Sequence, residues 1–153
     1  MRYDACMTQI DIAPFTLRAW TRLAAAHKSI DGEIERALKG AGLPAAATYD
    51  ILQSLEQAPE QRLRPAEIEK ALALAQYALS RLLDRIEALA QIQRVPCADD
   101  ARGQWIVLAP AGAEARAKMH AVLAGVLNAR IGEELGGDNA KKLGKLLGKL
   151  LPQ

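Results

Sequence analysis

Side chains able to hydrogen-bond to nucleobases lie along one face of a helix predicted over residues 75–90. Leucine and isoleucine recur there every three or four positions, and polar residues occupy the opposite face. The apolar face, which is predicted to be buried, consists of Leu79, Leu82, Leu83, Ile86 and Leu89. The polar face consists of Gln76, Tyr77, Ser80, Arg81, Asp84 and Arg85. Because glutamine can bond twice to adenine and arginine twice to guanine, this face could address the major groove of a duplex. The alternative interpretation is an ordinary solvated helix surface.

A β-hairpin is predicted immediately after this helix. IQRVPC (Ile92–Cys97) and QWIVLA (Gln104–Ala109) have the composition of strands, and the polar ADDARG lies between them. Arg102 at the tip could reach a minor groove or a phosphate, and Asp100 could orient a neighbouring arginine. The alternative is an ion pair that only stabilises the turn. Further possible phosphate contacts are Arg62, Arg64 and Arg94.

Residues suited to catalysis or metal binding are few. The chain has two histidines and shows no nucleophile motif, phosphate-binding glycine loop or run of metal ligands. His27 and Asp31 stand four residues apart and could share a metal, but a packed histidine beside a surface aspartate is far more common. Cys6 and Cys97 are too few for a disulfide framework, and Cys97 is interpreted as a buried or incidental thiol rather than a redox switch. We therefore predict a protein that is not an enzyme and that needs no cofactor or metal.

The composition of the 153 residues favours a single helical domain, residues 1–153. Half of the residues are hydrophobic, with an excess of alanine and leucine, and only 4% are aromatic. A net charge of +2 permits a nucleic-acid partner without requiring one. No stretch is apolar enough for a signal peptide or a transmembrane helix, so we expect no membrane partner and a cytoplasmic location.

Helices on both sides of the hairpin must position these residues. An apolar stripe predicts a long helix over residues 14–41, and a second helix follows Pro44. A short helix that begins at Pro65 stands just before the polar helix, which is the layout of a helix-turn-helix. After the hairpin, a long helix runs to about Leu135, and a last one from Asn139 carries a ladder of leucines. The predicted fold is mainly α, with a small β-hairpin as the wing of a helix-turn-helix.

The segment RVPCADDARGQWIVLAPAG resembles the wing of the multiple-antibiotic-resistance regulator (MarR) family, whose pattern is roughly R-x-x-x-x-x-D-x-R-x-x-x-x-x-L-T-x-x-G. The matching residues are Arg94, Asp100, Arg102, Leu108 and Gly112. Upstream, LSRLLDRIEALAQIQR is similar to the family's recognition helix running into its wing. The resemblance covers about residues 14–151 and implies a winged helix-turn-helix transcription factor that binds double-stranded DNA as a homodimer.

The resemblance also implies roles for particular parts of the chain. Residues 14–41 and 112–151 would be dimerisation helices, and residues 43–109 the winged helix-turn-helix. The implied DNA-binding residues are Gln76, Tyr77, Ser80, Arg81, Arg85, Arg94, Asp100 and Arg102. A small aromatic or amphipathic effector would bind between the dimerisation helices and the winged part. The residues that could line that site are Trp20, His27, Tyr49 and Met119. An ordinary packed core would explain the same four residues.

Three residues depart from the family pattern. Ala75 and Ala109 stand where the family usually has residues that cap the following helix, and Glu69 replaces a small buried residue. These departures keep open an alternative function, a dimeric MarR-like ligand-binding or adaptor protein that has lost tight operator binding. The KKLGKLLGKLL segment could also lie on a membrane surface, but its leucines fit a dimer interface better.

Overall fold

The computed structural model describes residues 11–98 and 100–151, apart from the side chains of residues 101 and 102. Its helices are α1 (Pro14–Gly40), α2 (Ala46–Gln57), α3 (Pro65–Leu72), α4 (Gln76–Ala88), α5 (Pro110–Leu127) and α6 (Gly137–Gly148). Its strands are β1 (Arg62–Leu63), β2 (Ile92–Cys97) and β3 (Asp100–Leu108). The strands form an antiparallel sheet in the order β1-β3-β2. The mainly α fold with a hairpin wing is thereby confirmed.

The first hydrophobic core lies between α2, α3, α4 and the sheet, which together we call the winged unit. α4 contributes Leu79, Leu83 and Ile86, whose spacing of three or four places them on one side of the helix. Ile68 of α3 and Ile106 of β3 belong to the same cluster and are fully buried. The remaining members are Ile51, Leu52, Leu55, Ile92 and Leu108. With its apolar face held in this core, α4 presents its other face to solvent.

A second core joins α1 to α5. Ile34 and Leu38, near the end of α1, cluster with Met119 and Leu123 of α5. Tyr49 of α2 packs against this cluster, so α2 contributes to both cores. Within the described residues, the N-terminal half of α1 buries none of its side chains. The chain therefore covers only one end of its longest helix.

The structure differs from the sequence prediction in three places. β3 begins at Asp100 rather than at Gln104, because cross-strand pairing resumes at Cys97 after an irregularity at Pro96, which has no N–H to donate. Leu89, predicted on the buried face, is 57% exposed because α4 ends at Ala88. The helix predicted to run to about residue 135 is regular only to the end of α5, and the segment Asn128–Glu133 continues it as a π-helix.

Gly112 allows the start of α5 to approach the link between α4 and β2. A Cβ at this position would overlap the carbonyl oxygen of Gln91 and lie 2.9 Å from a methyl group of Leu108. The same Gln91 carbonyl accepts a hydrogen bond from the backbone N–H of Ala109 at 3.0 Å. Because the obstacle is backbone, a side chain at position 112 cannot be accommodated by a rotamer change.

Gly112→Ala should therefore lower the free energy of unfolding by about 1–3 kcal/mol, as overpacked sites do. The measurement is urea unfolding at matched protein concentration. Gly125→Ala is the control, since Gly125 also lies in α5 but has no atom within 4 Å of the added Cβ. In a helix interior this control change should stabilise by about 0.5–1 kcal/mol. Equal stability of the two variants would contradict the close approach at Gly112.

Candidate nucleic-acid interface

The polar face of α4 is exposed as the sequence predicted. Gln76, Ser80, Arg81 and Arg85 are all exposed, and Tyr77 is 74% exposed. The Nε of Arg85 donates to the backbone carbonyl of Arg81 at 3.4 Å, one turn earlier in the helix. The structure thus brings these five residues together on one surface, with donors and acceptors of the kind that base edges and phosphates require.

The turn between α3 and α4 is tight. Ala73 adopts the left-handed conformation with φ of 50°, and Ala75 is extended at the start of α4. Neither Ala75 nor Ala109, before α5, offers a side-chain acceptor, so the N-termini of α4 and α5 lack a side-chain cap at these positions. This geometry matches the helix-turn-helix layout and leaves the first N–H groups of α4 without a competing side chain.

Arg94 of β2 is clamped by two carboxylates of α4. Its Nη2 lies 2.7 Å from Oδ1 of Asp84 and its Nη1 lies 2.7 Å from Oε2 of Glu87. The Arg94 side chain is only 25% exposed. Both terminal nitrogens are already engaged, so this geometry fits a brace between α4 and the wing better than the phosphate contact predicted for Arg94.

A second arginine, Arg64, reaches the distal part of the hairpin. Its Nη1 lies 3.3 Å from Oδ2 of Asp100, and its Nη2 donates to Sγ of Cys97 at 3.2 Å. Asp100 therefore does hold an arginine, as the sequence predicted. Cys97 is buried at 8% exposure, in agreement with a buried thiol. Its arginine neighbour is Arg64 rather than Arg94, the nearest arginine in the sequence.

Trp105 of β3 was not singled out from the sequence, yet it organises two of these arginines. The guanidinium carbon of Arg62 lies 4.6 Å from the indole centroid and that of Arg64 lies 4.9 Å from it. Both distances are within the range of cation–π attraction. Arg62 also pairs with Glu60 at 2.7 Å. Pairing of Arg62 with Val107 places β1 beside β3, and this pairing between distant residues has no local signal in the sequence.

Of the four residues proposed to line an effector site, a single chain brings Tyr49 and Met119 together at the second core and leaves Trp20 and His27 apart from them on α1. Trp20 and His27 are exposed on α1, and Met119 is fully buried in the second core. The hydroxyl of Tyr49 shares a 2.8 Å hydrogen bond with Nδ1 of His120, and the two rings stack at 6.0 Å. None of the four lines the surface groove of about 340 Å³ between the end of α1 and the start of α2. The effector site stays a prediction, and it requires a second chain to complete the site.

One carboxyl group at the α1–α2 junction has a shifted pKa. Partial loss of hydration raises the pKa of Asp50, and the negative charge of Asp31 on α1 raises it further. Folding thus favours the protonated form of Asp50. The contribution of Asp50 to the free energy of unfolding is therefore greatest below the pKa that this carboxyl has in the unfolded chain. This contribution is lost as the pH rises through the pKa of the same group in the folded protein.

Two further features of the described residues concern metal-ligand groups and membrane-spanning helices. Within the described residues, no group of three or more His, Cys, Asp or Glu side chains could hold a metal ion. No helix in residues 11–98 or 100–151 is both long and apolar enough to cross a bilayer. Cys6, considered with Cys97 above, lies outside the described residues.

Comparison with known proteins places this arrangement in a family. A model of the MarR family matches residues 41–103. The multiple antibiotic resistance protein MarR of Escherichia coli (strain K12) is 31% identical over 107 residues, which make up 70% of this chain and 73% of that protein. This chain belongs to the MarR family.

Solved structures of MarR family proteins have the same fold. Wild-type MarR from E. coli, in its apo form, superimposes with a TM-score of 0.72 at 26% identity, over 94% of this chain and 100% of that chain. A MarR family transcriptional regulator from Streptomyces coelicolor, solved in complex with DNA, gives a TM-score of 0.83 at 21% identity, over 92% and 89% of the two chains. As a MarR family member, the chain is a transcriptional regulator and not an enzyme, as its sequence predicted.

The clamp around Arg94 in this MarR family chain leads to a stability prediction. Arg94→Met should lower the free energy of unfolding by about 1–3 kcal/mol, because it removes two charge-assisted hydrogen bonds and takes the cationic partner away from two carboxylates. Arg81→Met, on the exposed face of α4, should change it by less than about 0.5 kcal/mol. Urea unfolding of both variants at one protein concentration makes the comparison. Similar effects of the two changes would contradict a bracing role for Arg94.

Proposed function

We propose that this MarR family regulator binds double-stranded DNA sequence-specifically as a homodimer, with α4 in the major groove. The observation that carries the proposal is the exposed polar face of α4, which lies opposite three buried apolar residues and directly before the hairpin wing. The S. coelicolor relative with the same fold was solved in complex with DNA, which supports the same partner here. We also propose that the protein acts in the cytoplasm, where a bacterial regulator of this family would meet its DNA.

The charges of the winged unit are arranged to favour an anionic partner. Residues 61–102 contain seven basic residues (62, 64, 70, 81, 85, 94 and 102) and six acidic ones (67, 69, 84, 87, 99 and 100), so the segment is almost neutral. The two carboxylates on α4 are both paired with Arg94. Arg81 and Arg85 then supply the positive charge on the exposed face. We assign base contacts to Gln76 and Arg81, and phosphate contacts to Arg85 and to Arg102 of the wing.

Homodimerisation is supported by apolar side chains that the chain leaves uncovered. Phe15 and Trp20 of α1 are 71% and 66% exposed, and Leu146 of α6 and Leu150 just beyond it are 59% and 73% exposed. An amphipathic helix at a chain end needs a partner surface for its apolar face. We therefore propose that residues 14–41 and 112–151 form the dimerisation region around a winged helix-turn-helix of residues 43–109.

A small aromatic or amphipathic effector would bind where the dimerisation region meets the winged unit. The Tyr49–His120 hydrogen bond joins α2 of the winged unit to α5 at this place. Trp20 and His27 lie exposed on α1, where a second chain could complete a pocket with them. A ligand that competes for Tyr49 would change how α2 sits on α5.

The dimer interface can be tested on its leucines. Deleting residues 138–153 should yield a monomeric or insoluble product, because the apolar face of α6 is lost from the interface. Leu146→Glu with Leu150→Glu should likewise give monomers, as seen by light scattering. Lys145→Glu with Lys149→Glu is the matched control on the same segment and should remain dimeric. A compact dimer after the truncation would contradict this interface.

The DNA interface can be tested by separating two arginines. Arg81→Ala should cost about 1–3 kcal/mol on the preferred site and less on random duplex, because base contacts carry the specificity. Arg102→Ala should weaken both duplexes more evenly and lower the salt slope by about one per lost phosphate contact in each subunit. Fluorescence anisotropy at several salt concentrations measures both effects, with circular dichroism as the folding control. Wild-type binding by both variants would contradict the proposal that the protein reads DNA.

A further inference from the structure

A cluster of side chains joins the start of α3 to the distal half of the wing, and we call it the Arg64 cluster. Its members are Arg64, Cys97, Asp100, Gly103 and Trp105. Arg64 stands at the N-terminal boundary of α3, where its backbone N–H donates to Oε2 of Glu67 at 2.7 Å. The backbone of Arg64 is thus fixed to the helix-turn-helix, and its side chain extends to β2 and β3.

The guanidinium of Arg64 makes three contacts at once. One terminal nitrogen donates to the carboxylate of Asp100, the other donates to the thiol of Cys97, and the guanidinium carbon lies 4.9 Å from the indole centroid of Trp105. This use of a rigid planar fork is particular to arginine, since a lysine ammonium has neither the fork nor the face. With both terminal nitrogens engaged, Arg64 is poorly arranged for the phosphate contact that the sequence suggested.

The Arg64 cluster lies where the hairpin is held least by its own backbone. The regular pairing of β2 with β3 runs from Ile92 to Pro96, and the register then shifts so that Cys97 pairs with Asp100. Pro96 has no N–H for the ladder. The two residues that Arg64 contacts, Cys97 and Asp100, form the first cross-strand pair beyond this break. A side chain from outside the hairpin therefore supplies contacts at the point where cross-strand bonds are interrupted.

We propose that Arg64 is a positioning residue that fixes the distal wing against the helix-turn-helix, and so sets the pose in which the wing meets DNA. The consequence for DNA rests on the function proposed above, whereas the fixing of the wing does not. Loss of Arg64 removes its contacts with Cys97 and Asp100 in the distal wing, whereas the Arg94 brace and the pairing of β1 with β3 still hold the part of the wing nearer to α4. The wing then samples several orientations, and its contacts with the duplex are weakened.

Gly103 offers a way to disturb the cluster without changing any charge. A Cβ on Gly103 would lie 2.7 Å from Oδ2 of Asp100 and 3.1 Å from Nη1 of Arg64. Gly103→Ala therefore forces the ion pair to separate or move. Arg64→Lys keeps the charge and loses the fork. Arg64→Met removes both.

The first measurement uses the free protein. Hydrogen–deuterium exchange of the amides of residues 97–105 should be about tenfold faster in Arg64→Met and in Gly103→Ala than in the wild type. Arg62→Met is the matched control, because Arg62 also lies over Trp105 but pairs with Glu60. Its exchange in this segment should stay at the wild-type rate. Unchanged exchange in Arg64→Met and Gly103→Ala would overturn the proposal whether or not the protein binds DNA.

The second measurement is duplex binding by anisotropy over a range of salt concentrations. If Arg64 positions the wing, Arg64→Met, Arg64→Lys and Gly103→Ala should each weaken binding by about five- to tenfold. If Arg64 instead touched a phosphate as a point charge, Arg64→Lys and Gly103→Ala would bind like the wild type, and Arg64→Met would lower the salt slope by about one per subunit. That pattern would overturn the positioning role.

The two measurements distinguish failure of the inference from failure of the proposed function. A wild-type protein that binds no duplex would refute DNA binding, and the exchange data alone would then decide whether Arg64 fixes the wing. Faster exchange with unchanged affinity in all three variants would overturn the part of the proposal that concerns DNA. Faster exchange together with weaker binding by the charge-conserving variants supports the whole proposal.

Discussion

The interface depends first on the burial of one face of α4. Leu79, Leu83 and Ile86 are each 3% exposed or less, and together they fix the rotation of the helix about its own axis. Since successive residues of an α-helix are about 100° apart, fixing these three side chains fixes the direction of every other side chain on it. Gln76 and Arg81 point to solvent for this reason. The apolar core thus determines which polar groups can meet a duplex.

Electrostatic pairing then determines which charges are left on that surface. Arg94 forms ion pairs with both carboxylates of α4, and Arg64 forms an ion pair with Asp100 of the wing. Arginine suits these positions because its planar fork can bond to two groups at once. A segment that is almost neutral in composition therefore presents a basic face. The pairs also join β2 to α4 and the distal hairpin to α3, so charge and geometry are set by the same contacts.

Much of this structure follows from local sequence pattern. The 14–41 stripe predicted α1 to within one residue, and the segment IQRVPC before the polar tip predicted β2 with its observed bounds. Contacts between distant residues were not predictable in this way. Arg64 and Asp100 are 36 positions apart, and their meeting depends on the turn between α3 and α4 and on the early start of β3. Leu89 fits the apolar period, yet the helix ends one residue before it, so periodicity alone misplaces it.

The continuity of α5 has a mechanical consequence. Its first turns carry Ala113 and Ala115 against the core of the winged unit, and its later turns carry Met119 and Leu123 into the second core. The 18 residues of α5 span about 27 Å at the usual rise per residue. A tilt of about 5° at one end of such a rod displaces the other end by roughly 2 Å by simple geometry. In the homodimer proposed above, the displacements in the two chains would add, so a slight change in how the chains meet at one end of α5 would change the separation of their two winged units.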